Sequence, residues 1–159
     1  MIELNDINWG GSGIEKCLYD FLINKFPKGT KMLEFGGGNV STNVFSNYFN
    51  LTTVEEDLKW LNIFKNRYIY APIKNGWYDN EILSKELDND YEVIFVDGPS
   101  GAGNRFGLLN NLNLFNKNIT WVFHDTYRVS EKKLATEFSE KTNKKITFYS
   151  ECDYWAVVE

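Results

Sequence analysis

The sequence predicts an α/β fold, a doubly wound sheet of about seven strands, mostly parallel, with an antiparallel C-terminal edge. Three observations point there. Short runs of apolar, β-branched and aromatic residues recur at strand length. Segments with apolar residues at helical spacing separate most of these runs. The last two runs follow one another with no helix between them. Strands that alternate with helices are joined by crossovers, which makes them parallel and covers both faces of the sheet, whereas tandem strands pair antiparallel. No repeat, low-complexity tract or linker interrupts the pattern, so residues 1–159 are expected to form one domain.

The chain opens with a helix expected over 13–26. Ile14, Cys17, Leu18, Phe21 and Leu22 fall on one face, and Ser12 with Glu15 makes a capping-box start. Strand-like runs follow at 31–35 (KMLEF), 51–55 (LTTVE), 67–71 (RYIYA), 92–97 (EVIFVD) and 119–124 (ITWVFH). Helices are expected between them at 42–49, at 58–65 behind Asp57, at 80–87 behind Asp79, at 105–115 and at 131–141 behind Ser130. Runs at 145–149 (KITFY) and 154–158 (YWAVV) close the chain, and Asn75-Gly76 in "KNGWYD" marks a turn after the third strand. In a Rossmann-like sheet of this kind, ligands bind beyond the carboxyl ends of the strands at the point where strand order reverses. The residues just after each strand are therefore the candidates for function.

Composition narrows the classes of partner. The net charge of −5, from 17 basic and 22 acidic side chains, argues against nucleic acid, which selects a basic surface. The lysine pairs Lys132-Lys133 and Lys144-Lys145 lie among Glu131, Glu137 and Glu140 and read as solvated helix surface. Cys17 and Cys152 are far apart in sequence and show no metal-ligand spacing, which fits reduced thiols in a cytoplasmic protein. The N-terminus has no basic and apolar leader pattern, and no long apolar run occurs, so neither export nor a membrane span is expected.

The first strand runs into Glu34-Phe35-Gly36-Gly37-Gly38. One glycine suffices for a turn; three suggest that a ligand lies against the backbone, beside the N-terminus of the next helix. The second strand ends in Glu55-Glu56-Asp57, with Glu55 nineteen residues beyond Gly36, the position from which a carboxylate accepts ribose hydroxyls. Glu56 is a second choice for that role, and Asp57 reads as a helix cap. The dinucleotide pattern G-x-G-x-x-G requires glycine where this chain has Ser41. S-adenosylmethionine carries a cationic sulfonium and no phosphate, which suits an acidic rim. Asp97, in "VDGPSG", and His124 with Asp125, in "VFHDTYR", stand at neighbouring strand tips. They could activate a substrate hydroxyl directly or hold a divalent cation that does so. Arg105 and Arg128 follow, placed either to bind an anionic substrate group or to pair with Asp97, Asp125 or Glu131. Of the five tryptophans, Trp9 and Trp77 could line a rim pocket.

"MLEFGGGNVST", "TTVEEDLKW", "YEVIFVDGPSG" and "VFHDTYRVSEKKL", in this order over residues 30–140, resemble the class I S-adenosylmethionine-dependent methyltransferases. Within that class they look like the polysaccharide O-methyltransferases typified by glucuronoxylan 4-O-methyltransferase. The resemblance implies that Glu34, Gly36, Gly37 and Gly38 meet the methionine part of the cofactor and Glu55 its ribose. It also implies that Asp97, His124 and Asp125 form the catalytic rim, with Asp97 near the cofactor too. By analogy with metal-dependent catechol-type enzymes, those three residues would also hold Mg, Mn or Co. "DGPS" stands where many amino-group methyltransferases carry N-P-P-aromatic, which favours an oxygen acceptor. The expected partner is a small molecule or saccharide, and the short N-terminal stretch leaves room for a homo-oligomer to complete the site. Two other readings stay open: a nicotinamide-dependent oxidoreductase, and a non-catalytic binding module that acts through a partner.

Overall fold

The computed structural model describes residues 7–10, 13–101, 103–152 and 154–159. The elements run α1 (Lys16–Lys25), β1 (Lys31–Phe35), α2 (Ser41–Tyr48), β2 (Asn50–Glu55), β3 (Arg67–Tyr70), β4 (Ile73–Lys74), β5 (Trp77–Tyr78), α3 (Asn80–Glu86), β6 (Val93–Val96), α4 (Gly107–Asn110), β7 (Thr120–Phe123), α5 (Val129–Thr142), β8 (Ile146–Tyr149) and β9 (Trp155–Val158). Seven strands form one sheet in the order β3-β2-β1-β6-β7-β9-β8. Strands β3 to β7 of this sheet are parallel, and β9 is antiparallel to both its neighbours, β7 and β8. The expected doubly wound sheet with an antiparallel C-terminal edge is what forms, with β9 slotted inside β8.

Alternation along each strand sorts the core into two layers. Met32, Val93, Phe95 and Val122 point to one face, where they meet Leu18 and Leu22 of α1 and Phe45 of α2. Leu33, Phe35, Ile94, Val96, Trp121 and Phe123 point to the other, against Leu83, Leu108 and Phe138. Each such side chain, fully buried, stabilises the fold by roughly 1.5–3 kcal/mol. Glu34 shares its face with Met32, so the strand aims a carboxylate at α2; it is fully buried there.

The expected boundaries hold within a residue or so for the strands, and less well for three helices. The 58–65 segment is only a 3-10 turn at Leu58–Trp60, because Asn62 adopts a left-handed φ of 58° and Leu58 stays 66% exposed, with no face to bury. The 105–115 segment splits into α4 and a 3-10 turn at Leu112–Leu114. Helix α1 begins at Lys16, with Glu15 in the N-cap position; Ser12, the other half of the expected capping box, lies outside the described residues. Asn75 and Gly76, with φ of 56° and 82°, make the two-residue turn of the β4–β5 hairpin.

The expectation of two reduced thiols is overturned: Cys17 and Cys152 form a disulfide, with Cα atoms 6.5 Å apart. Separation along the chain misled, because α1 packs on the same sheet face as Trp155, beside the β8–β9 connection that carries Cys152. The bond also removes the cysteine-based ground for a reducing compartment. Among the described residues, no helix is long and apolar enough to cross a membrane.

A bridge spanning 135 residues restricts the unfolded chain strongly. Cys17→Ser is therefore expected to lower the unfolding free energy by about 2–5 kcal/mol. Urea denaturation of the wild type should move to the variant's midpoint in reductant, and reductant should leave the variant unmoved.

Candidate active site

Strand order reverses between β1 and β6: the chain leaves β1 toward β2 and β3, then returns to β6 and β7 on the other side. The loops after β1 and β6 diverge there and open a cleft of about 370 Å³. Its floor is a contact between two glycines. Gly36 has a φ of 85°, and a Cβ on it would lie 2.8 Å from both Cα and N of Gly98, so no other residue fits.

Gly36, Gly37 and Gly38 all line the cleft, yet each N–H group already has an acceptor in the protein itself. Gly36 donates to the Val54 carbonyl (3.0 Å), Gly37 to Glu55 Oε2 (2.7 Å) and Gly38 to Thr42 Oγ1 (2.9 Å). Thr42 in turn donates to Glu34 Oε2 at 2.7 Å, as does Thr53 at 2.9 Å. Glu34 thus lies beneath the loop and holds it through Thr42; it is not part of the cleft wall.

Glu55, 3% exposed, is part of that wall. Besides Gly37 it accepts from the N–H groups of Glu56 (2.9 Å) and Asp57 (2.8 Å) at Oε1. A carboxylate has about four lone-pair sites, so capacity for a ligand hydroxyl remains. Glu56 is occupied elsewhere, accepting from N–H and Oγ of Ser100 at 2.8 and 3.1 Å and so tying the loop after β2 to the loop after β6. Asp57 caps the Leu58–Trp60 turn by accepting from Lys59 N–H.

On the far side of the floor the structure brings Asp97, His124 and Asp125 together. His124 Nδ1 lies 3.1 Å from Asp97 Oδ1 and 3.7 Å from Asp125 Oδ1. Asp125 is held at a φ of 60°, a conformation Asp tolerates better than most residues. One ligand atom from each of the three lies within 4.8 Å of the others, a donor set that a divalent cation would use if both carboxylates were free. Arg105 realises the ion-pair alternative: its Nη2 donates to Asp97 Oδ1 at 3.0 Å and to Asp125 Oδ2 at 3.2 Å. Arg128 also pairs with Asp125, at 2.9 Å, but its side chain is 47% exposed at the cleft mouth.

Two aromatic residues of the wall were not singled out from the sequence. Trp60 follows the acidic run after β2, and Tyr127 lies two residues beyond Asp125. Their signal was position just past a strand tip. Neither of the tryptophans considered for a rim pocket lines the cleft: Trp77 is buried against Phe35, and Trp9 packs on Tyr19.

No family model and no curated relative matches the chain. Solved structures do. The C-terminal domain of precorrin-6Y C5,15-methyltransferase from Rhodobacter capsulatus aligns with a TM-score of 0.64 at 14% identity, over 98% of this chain and 94% of that one. The chain has the class I methyltransferase fold. A TehB-like SAM-dependent methyltransferase from Corynebacterium glutamicum gives 0.56 at 14% identity, over 87% of this chain and 83% of its own. MycE methyltransferase of the mycinamycin biosynthetic pathway, in complex with Mg and S-adenosylhomocysteine, gives 0.58 at 13% identity, over 91% of this chain and 45% of its own. At such identities the methyltransferase fold is what is shared, and the chemistry has to come from this chain's residues.

Burial raises the pKa of Glu34 from 4.5 to about 7, against the opposing hydrogen bonds from Ser41, Thr42 and Thr53. Burial likewise raises Glu55 to about 7, against its backbone N–H donors. Both folded-state values lie above the unfolded one, so their contribution to stability is full below pH 4.5 and is lost as pH rises through 7. The unfolding free energy is expected to fall by up to about 5 kcal/mol, roughly half from each group, between pH 5 and pH 8. Glu34→Gln, which can still accept from both threonines, should flatten that slope in urea titrations at the two pH values. An unchanged slope would remove Glu34 as its source.

Proposed function

We propose that the chain transfers the methyl group of S-adenosylmethionine to a hydroxyl of a sugar, uronic acid or other small metabolite. The observation that carries this reading is the glycine loop, which lines the cleft while all three glycine N–H groups are taken up inside the protein. The loop offers room rather than donors. A dinucleotide's pyrophosphate needs donors from such a loop, whereas the methionine part of S-adenosylmethionine needs an open backbone and tolerates acidic surroundings. Glu55 is then placed to accept from the ribose hydroxyls.

Methyl transfer proceeds in line, the carbon–sulfur bond breaking as the carbon–oxygen bond forms, and the acceptor hydroxyl gives up its proton. Asp97, His124 and Asp125 are placed to receive that proton, the carboxylate of Asp97 orienting the His124 ring through Nδ1. Arg128, half exposed at the mouth, is the side chain suited to an anionic group on the acceptor. Arg105 is engaged by the two aspartates. Asp97, His124 and Asp125 are the donors that Mg, Mn or Co would need in order to lower the pKa of the acceptor hydroxyl, but Arg105 and Arg128 already engage both carboxylates, so the proton transfer is assigned to the residues without a metal. The names of the fold neighbours include a C5,15-methyltransferase, so the choice of oxygen rests on this chain's own rim and on "DGPS" after β6.

Calorimetric titration with S-adenosylhomocysteine is expected to give one saturable site, weakened at least tenfold by Glu55→Ala, with NAD as the control that does not bind. Asp125→Asn should keep that affinity within about twofold and lose at least a hundredfold in turnover with a hydroxylated acceptor. Binding of NAD instead would favour the oxidoreductase, and cofactor binding with no turnover on any acceptor would favour the non-catalytic module.

A further inference from the structure

The two aspartates that would hold a divalent cation are already bridged by a cation of the protein's own. Arg105 Nη2 contacts Asp97 Oδ1 at 3.0 Å and Asp125 Oδ2 at 3.2 Å, and the Arg105 side chain is only 10% exposed. Arg128 adds a second positive charge, 2.9 Å from Asp125 Oδ2. Two carboxylates and two guanidiniums balance. A divalent ion entering this cluster would leave it with an excess of two positive charges in a partly dry cleft, where repulsion is weakly screened.

Arg105 is also hard to move aside. It forms part of the wall between the main cleft and a smaller cavity of about 260 Å³, whose lining includes Pro99, Phe106 and Leu134. Swinging it toward that side would take the guanidinium off two carboxylates and offer it a lining that holds only one, Glu131, beside Asn104 and Ser130. Its Nη1 is already buried without a hydrogen-bond partner, so the residue's polar contacts are concentrated on the aspartate pair.

We propose that Arg105 is a built-in cation that stands in for a divalent ion: it orients Asp97 and Asp125, and it keeps Mg, Mn and Co from binding to them. Arg105 is in this account a positioning residue, acting on the acceptor through the two carboxylates. The inference rests on the proposed function only for its bearing on turnover, since metal binding can be measured with neither cofactor nor acceptor present.

Mn binding followed by electron paramagnetic resonance tests it. The wild-type protein is expected to bind Mn more weakly than about 1 mM, the weak end of protein sites for hard cations. Arg105→Gln should bind at least tenfold more tightly, Arg105→Lys should stay as weak as the wild type because it keeps the charge, and Arg105→Gln with Asp97→Asn should lose the gain. Micromolar Mn binding by the wild type that Asp97→Asn abolishes would overturn the proposal, and so would the absence of any gain in a folded Arg105→Gln. The wild-type titration and Arg105→Lys keep the question decidable if Arg105→Gln fails to fold. Failure to bind S-adenosylhomocysteine, with the Mn series as expected, would remove the methyltransferase reading and leave this one standing.

Discussion

The cleft depends on one close approach, the backbone of Gly36 against the backbone of Gly98. These glycines leave β1 and β6, adjacent parallel strands whose following loops turn opposite ways, and a Cβ at either position would fall within 3 Å of the other's backbone. The ladder of hydrogen bonds continues into both loops: Gly36 N–H reaches the Val54 carbonyl, and Asp97 N–H reaches the Phe35 carbonyl at 2.9 Å. Because the two loops touch at their roots, the residues just beyond them are fixed relative to each other. Glu55 and the glycine loop come to one side of the floor and Asp97 to the other, without any of them needing a long side chain to get there.

Around that floor the charges are arranged in two different ways. Glu34 and Glu55 are carboxylates in dry surroundings, supported by hydroxyl and N–H donors and by no nearby cation in those bonds, and burial pushes both toward the neutral form. A bound cation close to them would favour the ionised form and so gain affinity from it. Asp97 and Asp125 are instead neutralised in place by Arg105 and Arg128. One half of the cleft therefore has Glu55, a carboxylate with no cationic partner among those bonds, in its wall and Glu34 beneath it, which suits a positively charged ligand, and the other holds a balanced cluster that suits proton transfer.

The strands and the residues at their tips were legible in the sequence because both follow from local pattern: a buried parallel strand must be a short apolar run, and the first polar residue after it must face the rim. Where the outcome depended on what lies across from a segment, local pattern was insufficient. The 58–65 stretch has enough apolar residues for a helix, but no surface is available for them, and Leu58 and Ile63 remain exposed. Cys17 and Cys152 meet only because α1 and the β8–β9 connection share a sheet face. Glu34 was legible as special but not as buried. Its neighbours Met32 and Phe35 alternate between faces as any strand does, and only the presence of α2 over one face turns that alternation into a hydrogen bond to Thr42. The two arginines stood between a substrate role and an ion-pair role until the distance across the cleft was known.

The three consecutive glycines have, in the end, three separate reasons. Gly36 is required by its positive φ and by Gly98. Gly37 is confined by Glu55 and Thr53, whose side-chain atoms would lie 3.3 Å from an added Cβ. Gly38 alone is comparatively open, with only Ser41 Oγ near, at 3.2 Å, and so it is the glycine whose missing side chain most directly serves the cleft. Two of the three are thus explained by the protein itself, and the loop's contribution to a ligand reduces to a bare backbone edge at Gly38 and the surfaces of its neighbours. Such an edge can lie along a flat or extended ligand without fixing phosphate oxygens, since the N–H of Gly38 is turned to Thr42 and through it to Glu34. The buried carboxylate under the loop and the open backbone above it are therefore one device at Gly38: through Thr42, Glu34 turns that N–H away from the cleft, while Gly36 and Gly37 are held by the Val54 carbonyl and by Glu55.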